Sequence, residues 1–574
     1  MKTNNLQWLA PLLATTLMCS CLNDLEHIEN SAPPSTNASE KITKLGRQLE
    51  NPYSVSNMQR ALDSLHGESK RSMRRQGREH LKVAKGIGIT TTDLYVRFLP
   101  KDSLELYLIE QDSTLHFYDY PLDFEIEEQG DFYHDTELPE DQITWQYTVV
   151  KPSYEFPDVR YEILAELFIP ENSEAYDTTT EKTPYTNTYY LDKLETLSLY
   201  LTNNVSKEER QAIEKSKKDQ SFLDRTARSR WRPSGTIRLW DDKLEKFVAM
   251  QGVEVRARRW FKTRKGISDA NGEFSCRGKF KRRANYSIKW KRHRFAIKSS
   301  WWLVYSGTAR YNGPKKKGSW QLDIKGGFQQ YCATIFQAAY DYYYRHNFGL
   351  RKPAASGGFW RMRIRARKKN GKSSHVQARR IWNGSDISLK AWGDPSDLVY
   401  GTTIHELAHA AHKNIDPFSY VGLVTRGYTI PCTVNSALDD CNQPTKRNSA
   451  EARRVLETWA TTVEIVLTQH RYRNYLGDSS YDYYYNNRQD YPINSQPFYT
   501  SVGYDLIDNI NQSKDIYKNY IGAYPQDRVS GYTIKQIENS LKNTNSWGEW
   551  KEHIKQQNPN NPTNEYIDEL FNNW

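Results

Sequence analysis

Six cysteines in 574 residues are too few for a scaffold held together by disulfides. Beyond the first twenty positions no apolar run approaches the ~20 residues needed to cross a bilayer, which excludes a polytopic membrane protein. No internal repeat is visible, and no nucleic-acid recognition motif is present, so nucleic acid is not an expected partner. What the chain does have is 37% hydrophobic and 26% charged residues. That composition fills several cores, and the length points to roughly three or four domains.

The formal net charge of +11 conceals two opposed blocks. Residues 91–200 carry 25 acidic and 6 basic side chains, whereas residues 225–380 carry 8 acidic and 40 basic. Docking of one block on the other, or solvated strand faces, accounts for such a dipole more economically than a polyanionic ligand. An anionic glycan on the basic block is the second reading, with Trp301, Trp302 and Trp320 placed among Lys and Arg as stacking candidates or as core.

The start, MKTNNLQWLAPLLATTLMCSC, has one Lys, an apolar stretch from Leu6 to Met18, and then Ser20 before Cys21. It resembles a bacterial lipoprotein signal, which implies removal of residues 1–20 and a lipid on Cys21. The implied location is the bacterial outer membrane, at its surface or periplasmic face. Residues 21–86, rich in Asn, Ser, Pro and charge, read as a tether. In such an oxidising compartment Cys432 and Cys441, nine residues apart, are expected to pair, while Cys276 and Cys332 are expected in cores.

Residues 87–225 read as an α+β unit. TDLYVRFLP, LELYLIE, STLHFYDYPLDFEI and TWQYTVV mostly alternate apolar with polar positions, as half-buried strands do. Short strands with turn signals fill 232–322, from GTIRLW through FAIKSSWWLVY to SWQLDI. Within them GVEVRARRWFKTRKGISDANGEFSC resembles the carboxypeptidase-regulatory-like domains of secreted bacterial proteins, with Ser268 where that family usually has Thr. The resemblance implies an immunoglobulin-like sandwich that presents rather than catalyses.

From residue 326 to 574 helices dominate. Asp394 as cap, Pro395 at the first position and Asp397 in the first turn predict one helix over DPSDLVYGTTIHELAHAAH. Inside it His405 and His409, at i and i+4, lie on one face about 6 Å apart, so both imidazoles reach one metal ion. Glu406, rotated about 100° from His405, is placed to act on a water polarised by that ion. This is the arrangement a zinc hydrolase needs, with Zn2+ as cofactor and the carboxylate as general base. Ile404, Leu407, Ala408 and Ala411 make the helix apolar enough to be buried, where two His require a partner.

A third ligand is expected from SAEARRVLETWATTVEIVLTQH, where Glu457 is embedded in an apolar pattern. LETWA resembles the downstream glutamate helix of the gluzincins. That likeness implies Glu457 as ligand, Ala460 as the small residue allowing close packing, and Thr461 or Glu464 behind the ligands. Glu464 and His412 are the rival ligands, although HELAHAAHKN lacks the Gly turn that carries a third His in metzincins. A buried pair of Glu457 with Arg453 or Arg454 is the non-metal alternative. Among 39 tyrosines, Tyr504 is the candidate donor to an oxyanion, and DISLKAW, just before the helix, is a candidate edge strand for an extended peptide.

The expectation is thus a multidomain α+β lipoprotein whose zincin-like α+β C-terminal domain hydrolyses a protein or peptide substrate. The alternative is a non-catalytic surface protein or adhesin on the same scaffold.

Overall fold

The computed structural model describes residues 42–574 except 72–85, most of 178–185, 220–228, 299–307, 356–360, 376–384, 430–447, most of 478–497, and positions 113, 131, 140, 141 and 372. The signal, Cys21, Trp301, Trp302 and the Cys432–Cys441 pair lie outside the described residues. The chain is a multidomain α+β protein with several sheets. Among the described residues no helix is long and apolar enough to cross a membrane.

The first correction concerns the tether. Residues 44–71, expected to belong to it, form strand β1 (Lys44–Gln48) and helix α1 (Val55–Arg71). Met58, Ala61, Leu62 and Leu65 recur at helical spacing along α1 and are buried with Tyr53. Strand β2 (Asp93–Phe98) follows. LELYLIE, whose alternation suggests a strand, is helix α2 (Ser103–Glu110). Asp102 decides this locally, since its carboxylate accepts the backbone N–H groups of Leu104 and Glu105 at 2.8 and 3.0 Å. β3 (Phe124–Glu128) pairs antiparallel with β1, while β4 (Gln146–Val150) and β5 (Tyr161–Leu167) flank β2 antiparallel. Helices α3 (Asn187–Leu201) and α4 (Lys207–Lys218) complete this acidic unit, and α3 is buried beside α1.

The basic block forms two four-stranded sheets. In one, β6 (Ser234–Asp241) is bordered by β7 (Lys246–Ala249), β10 (Glu273–Ser275) and β14 (Trp320–Ile324). In the other the order is β13 (Arg310–Lys316), β11 (Ala284–Lys289), β8 (Glu254–Arg259), β9 (Lys262–Ile267). Their inner residues, among them Ile237, Val255, Phe274, Ile288 and Trp320, share one core, as a sandwich requires. Trp320 packs on Tyr286 and Tyr311 within it. Cys276 and Cys332 are fully buried.

A second correction concerns β12 (Phe295–Lys298), grouped with the sandwich by its place in the chain. It pairs in parallel with β15 (Met362–Ala366) instead. β17 (Ile387–Leu389) continues that sheet in parallel, and β16 (Ser374–His375) closes it antiparallel. DISLKAW therefore does not form an edge: Ile387 and Ser388 pair with β15 on one side and β16 on the other. Helices α5 (Gly327–Tyr344), α6 (Ser396–Ile415), α7 (Pro417–Val424) and α8 (Asn448–Leu476) pack with this sheet into a core continuous with that of the sandwich.

Charge and shape join the acidic unit to the sandwich. Lys262 contacts Glu195 at 2.5 Å and Glu171 at 3.5 Å, Arg230 reaches Asp192 at 3.2 Å, and Arg282 reaches Glu209 at 3.3 Å. Arg264 pairs with Glu171, Lys281 with Asp192 and Arg310 with Asp119. Glu110 bonds Arg361 at 3.1 Å, carrying the same contact into the β15 sheet. Lys262, Glu195, Asp192, Arg282, Arg310 and Arg361 are buried, and the other partners are partly buried. At the tip of the β8–β9 hairpin Trp260 and Phe261 enter the core of the acidic unit, where Phe261 lies 4.9 Å from Tyr95. Trp260 adopts φ +52°, a backbone state that non-glycine residues disfavour.

Candidate metal centre

The HELAH segment lies on α6 as expected, but its start is secured from outside the helix. Asp394 is not the cap, since its carboxylate accepts the Asn370 amide. Instead Asp242, in the β6–β7 turn, accepts the Ser396 N–H at 2.7 Å, and neighbouring Asp241 accepts the Tyr472 hydroxyl of α8 at 2.9 Å. One hairpin of the sandwich thus holds both helices that carry the site. Asp397 sits in the first turn, where its charge favours the helix, and accepts the Tyr481 hydroxyl at 3.0 Å.

Three ligand atoms converge where α6 meets α8. His405 Nε2 lies 3.1 Å from Glu457 Oε2 and 3.2 Å from His409 Nε2, and His409 Nε2 is 3.6 Å from the same Glu457 oxygen. Tetrahedral zinc with bonds of about 2.0–2.1 Å sets its ligands about 3.3 Å apart, so this spacing fits one ion. Among the described residues no other group of three or more His, Cys, Asp or Glu brings its ligand atoms this close.

The supporting contacts select the same chemistry. Glu464 Oε2 lies 3.0 Å from His405 Nδ1 and orients the ring, so that Nε2 is the nitrogen turned to the cluster. Burial opposes charge on His405, but Glu457 and Glu464 on its two nitrogens outweigh it and raise its pKa to about 10. Burial likewise works against the Glu457 carboxylate, yet His409 and His405 hold it well below the usual carboxylate range. The site is built to receive positive charge. Glu406, 5% exposed, is the next residue along α6 from His405.

Of the rival ligands, Glu464 stands behind His405 and outside the cluster. His412 is buried against Tyr420, and burial with the neighbouring charge of His409 pushes its pKa down to about 3. Arg453 and Arg454, the alternative partners of Glu457, lie over Phe498 at 3.9 Å and over Trp547 at 5.3 Å. Ala460 is fully buried, as close helix packing requires.

Tyr504 is not brought to the cluster. Its hydroxyl donates to Gln469 at 2.7 Å, twelve residues beyond Glu457 and so about 18 Å along the helix axis. Three other tyrosines do arrive there. The Tyr428 hydroxyl donates to Glu457 Oε1, Tyr483 donates to Glu464 Oε1 at 3.2 Å, and the Tyr499 ring is 6.5 Å from that of His405. Tyr428 belongs to a π-helical turn, Thr425–Thr429, of a kind that often marks functional sites. Gly401 admits Tyr483, because a Cβ there would stand 2.0 Å from the tyrosine oxygen. No local pattern singles these three out among 39 tyrosines.

No family model, curated protein or solved structure matches the chain.

Proposed function

We propose that the chain is a zinc-dependent peptidase of gluzincin type, anchored at a bacterial outer membrane through lipid on Cys21. The observation that carries this reading is the convergence of His405 Nε2, His409 Nε2 and Glu457 Oε2 within 3.1–3.6 Å, with Glu464 at 3.0 Å from the other nitrogen of His405. Zinc bound by these three residues supplies a Lewis acid for a scissile carbonyl and brings the pKa of a water towards ~7. Glu406 takes a proton on its carboxylate during attack and returns it to the departing amine. Tyr428 donates its hydroxyl to the second oxygen of Glu457 and so steadies that carboxylate against the two imidazoles.

The alternative, a non-catalytic adhesin binding anionic glycan through the basic block, has less to draw on. Lys262, Arg264, Lys281 and Arg310 are already committed to carboxylates of the acidic unit.

Glu406→Gln tests the mechanism. The variant retains stoichiometric zinc by elemental analysis while hydrolysis of a peptide library falls about 10²–10⁴-fold, the contribution typical of a general base. A library cleavage rate within about twofold of the unsubstituted protein sinks the assignment.

A further inference from the structure

A cavity of about 170 Å³ lies where the tip of the β8–β9 hairpin meets the acidic unit, remote in sequence from the His405 cluster. Asp93 of β2 and Thr148 of β4 line its buried side. Phe261, Lys262, Thr263 and Arg264 of the hairpin supply the facing wall, so both units build it. The space equals about six waters at ~30 Å³ each and falls short of the ~300 Å³ at which pockets for drug-sized ligands begin. One small ring fills it.

Its ionised groups are already committed. Asp93 faces Lys151 at 3.1 Å and accepts the Asn172 amide at 2.7 Å. Glu171 lies 3.5 Å from both Lys262 and Arg230 and pairs with Arg264, while Lys262 reaches Glu195 at 2.5 Å. Two acids thus balance two bases in the lining, and an ionic ligand would have to break their pairs. His116 adds no charge near neutral pH, because burial, with Arg256 and Lys265 nearby, lowers its pKa to about 4. What the walls offer is neutral. It comprises the hydroxyls of Thr114, Thr148, Thr263 and Tyr118, the last two 2.9 Å apart, and the His116 imidazole. The Phe261 ring, with Leu122 and Ile169, adds an apolar surface. Hydroxyls that donate and accept beside an aromatic face match a ring with hydroxyls on its rim and C–H groups on its faces. A sugar has that anatomy, whereas a wholly apolar ligand would leave the hydroxyls unpaired.

We propose that this cavity binds one neutral pyranose, free or as the terminal unit of a glycan, with Thr148 and His116 as hydrogen-bond partners and Phe261 as the stacking surface. Because both units line the cavity, the sugar strengthens the contact between them. The site is independent of the zinc reading.

Saturation-transfer NMR on the full chain tests this with glucose, galactose, mannose, fucose and N-acetylglucosamine, each at about 10 mM, ten times a weak dissociation constant of ~1 mM. At least one sugar takes up saturation. Thr148→Val keeps the shape of the buried side but removes its hydroxyl, and weakens that binding about fivefold or more. His116→Ala gives the same loss from a partly buried position and carries the reading if Thr148→Val does not fold. His405→Ala leaves the binding unchanged, which separates it from the metal centre. A glycan array distinguishes the sources: retention of glycans ending in the bound sugar marks a terminal unit, and an empty array marks the free sugar. Any of three results overturns the assignment: no sugar is saturated, binding survives in the folded variants, or glycine or inorganic phosphate displaces the sugar.

Discussion

His405 is held by two glutamates with different tasks. Glu457 faces Nε2 at 3.1 Å and Glu464 faces Nδ1 at 3.0 Å, so one carboxylate joins the three-residue cluster and the other orients the ring. Removing the orienting group leaves the three ligands in place but frees the imidazole to rotate and to change tautomer. Glu464→Ala is therefore expected to weaken zinc binding about 10–100-fold, read by competition with a chromophoric chelator. Unchanged affinity contradicts the role. That His405, His409 and Glu457 come together was legible in the sequence, because i, i+4 spacing and an acid inside an apolar helix are local patterns. The tyrosines were not. Tyr428, Tyr483 and Tyr499 lie in connections beyond the regular part of each helix, and contacts made across connections leave no periodic trace. Tyr504 follows the glutamate helix closely in sequence, yet its hydroxyl meets that helix at Gln469 rather than at Glu457.

Among the elements, the β8–β9 hairpin departs most from its local signals. Its two-residue loop is Trp260–Phe261, with neither Gly nor Asn, although Trp260 takes φ +52°. Burying both rings among Tyr53 and Tyr95 offsets that strain. Trp260→Ala removes the ring and keeps the strain, for an expected loss of about 3–5 kcal/mol in denaturant titrations. Trp260→Gly also loses the ring but relaxes the turn, and is expected to cost about 1 kcal/mol less. Equal midpoints for both variants and the unsubstituted protein refute the account. Turn chemistry alone cannot reveal such a loop, since its energy comes from another unit. α1 was hidden differently: the stripe of Met58, Ala61, Leu62 and Leu65 is narrow and set among Asn, Gln, Arg and Asp. β12 was misplaced because its parallel partner lies more than sixty residues further on.

Across the whole molecule the opposed charge blocks visible in the composition become a docked interface. Burial opposes ionisation of Glu110, Glu195 and Asp119, but Arg361, Lys262 and Arg310 respectively outweigh it and lower their pKa values. A carboxylate depressed in the folded state contributes stability above its unfolded value of about 4 and loses it as pH falls through the folded value. Asp192 has the opposite sign: burial raises it to about 6 despite Lys281, so its contribution is present below about 4 and lost as pH rises to 6. With three groups against one, the contact is expected to weaken progressively as pH falls below about 4 and the acidic unit to separate only well below that, as these carboxylates take up protons. A rise in radius of gyration by X-ray scattering between pH 6 and pH 2 checks this, and a constant radius over that whole range contradicts it.

The path of β12 interlocks two units. The chain leaves the sandwich after β11, contributes β12 to the sheet beside α6 and α8, and returns to build β13 and β14. Asp241 and Asp242 bind the two halves again from the other direction. Cutting between residues 322 and 326 would strip a strand from the C-terminal sheet and a cap from its helix. The border between the two units in the sequence is thus not a border in the structure, and neither piece is expected to keep its sheet intact when the chain is divided there.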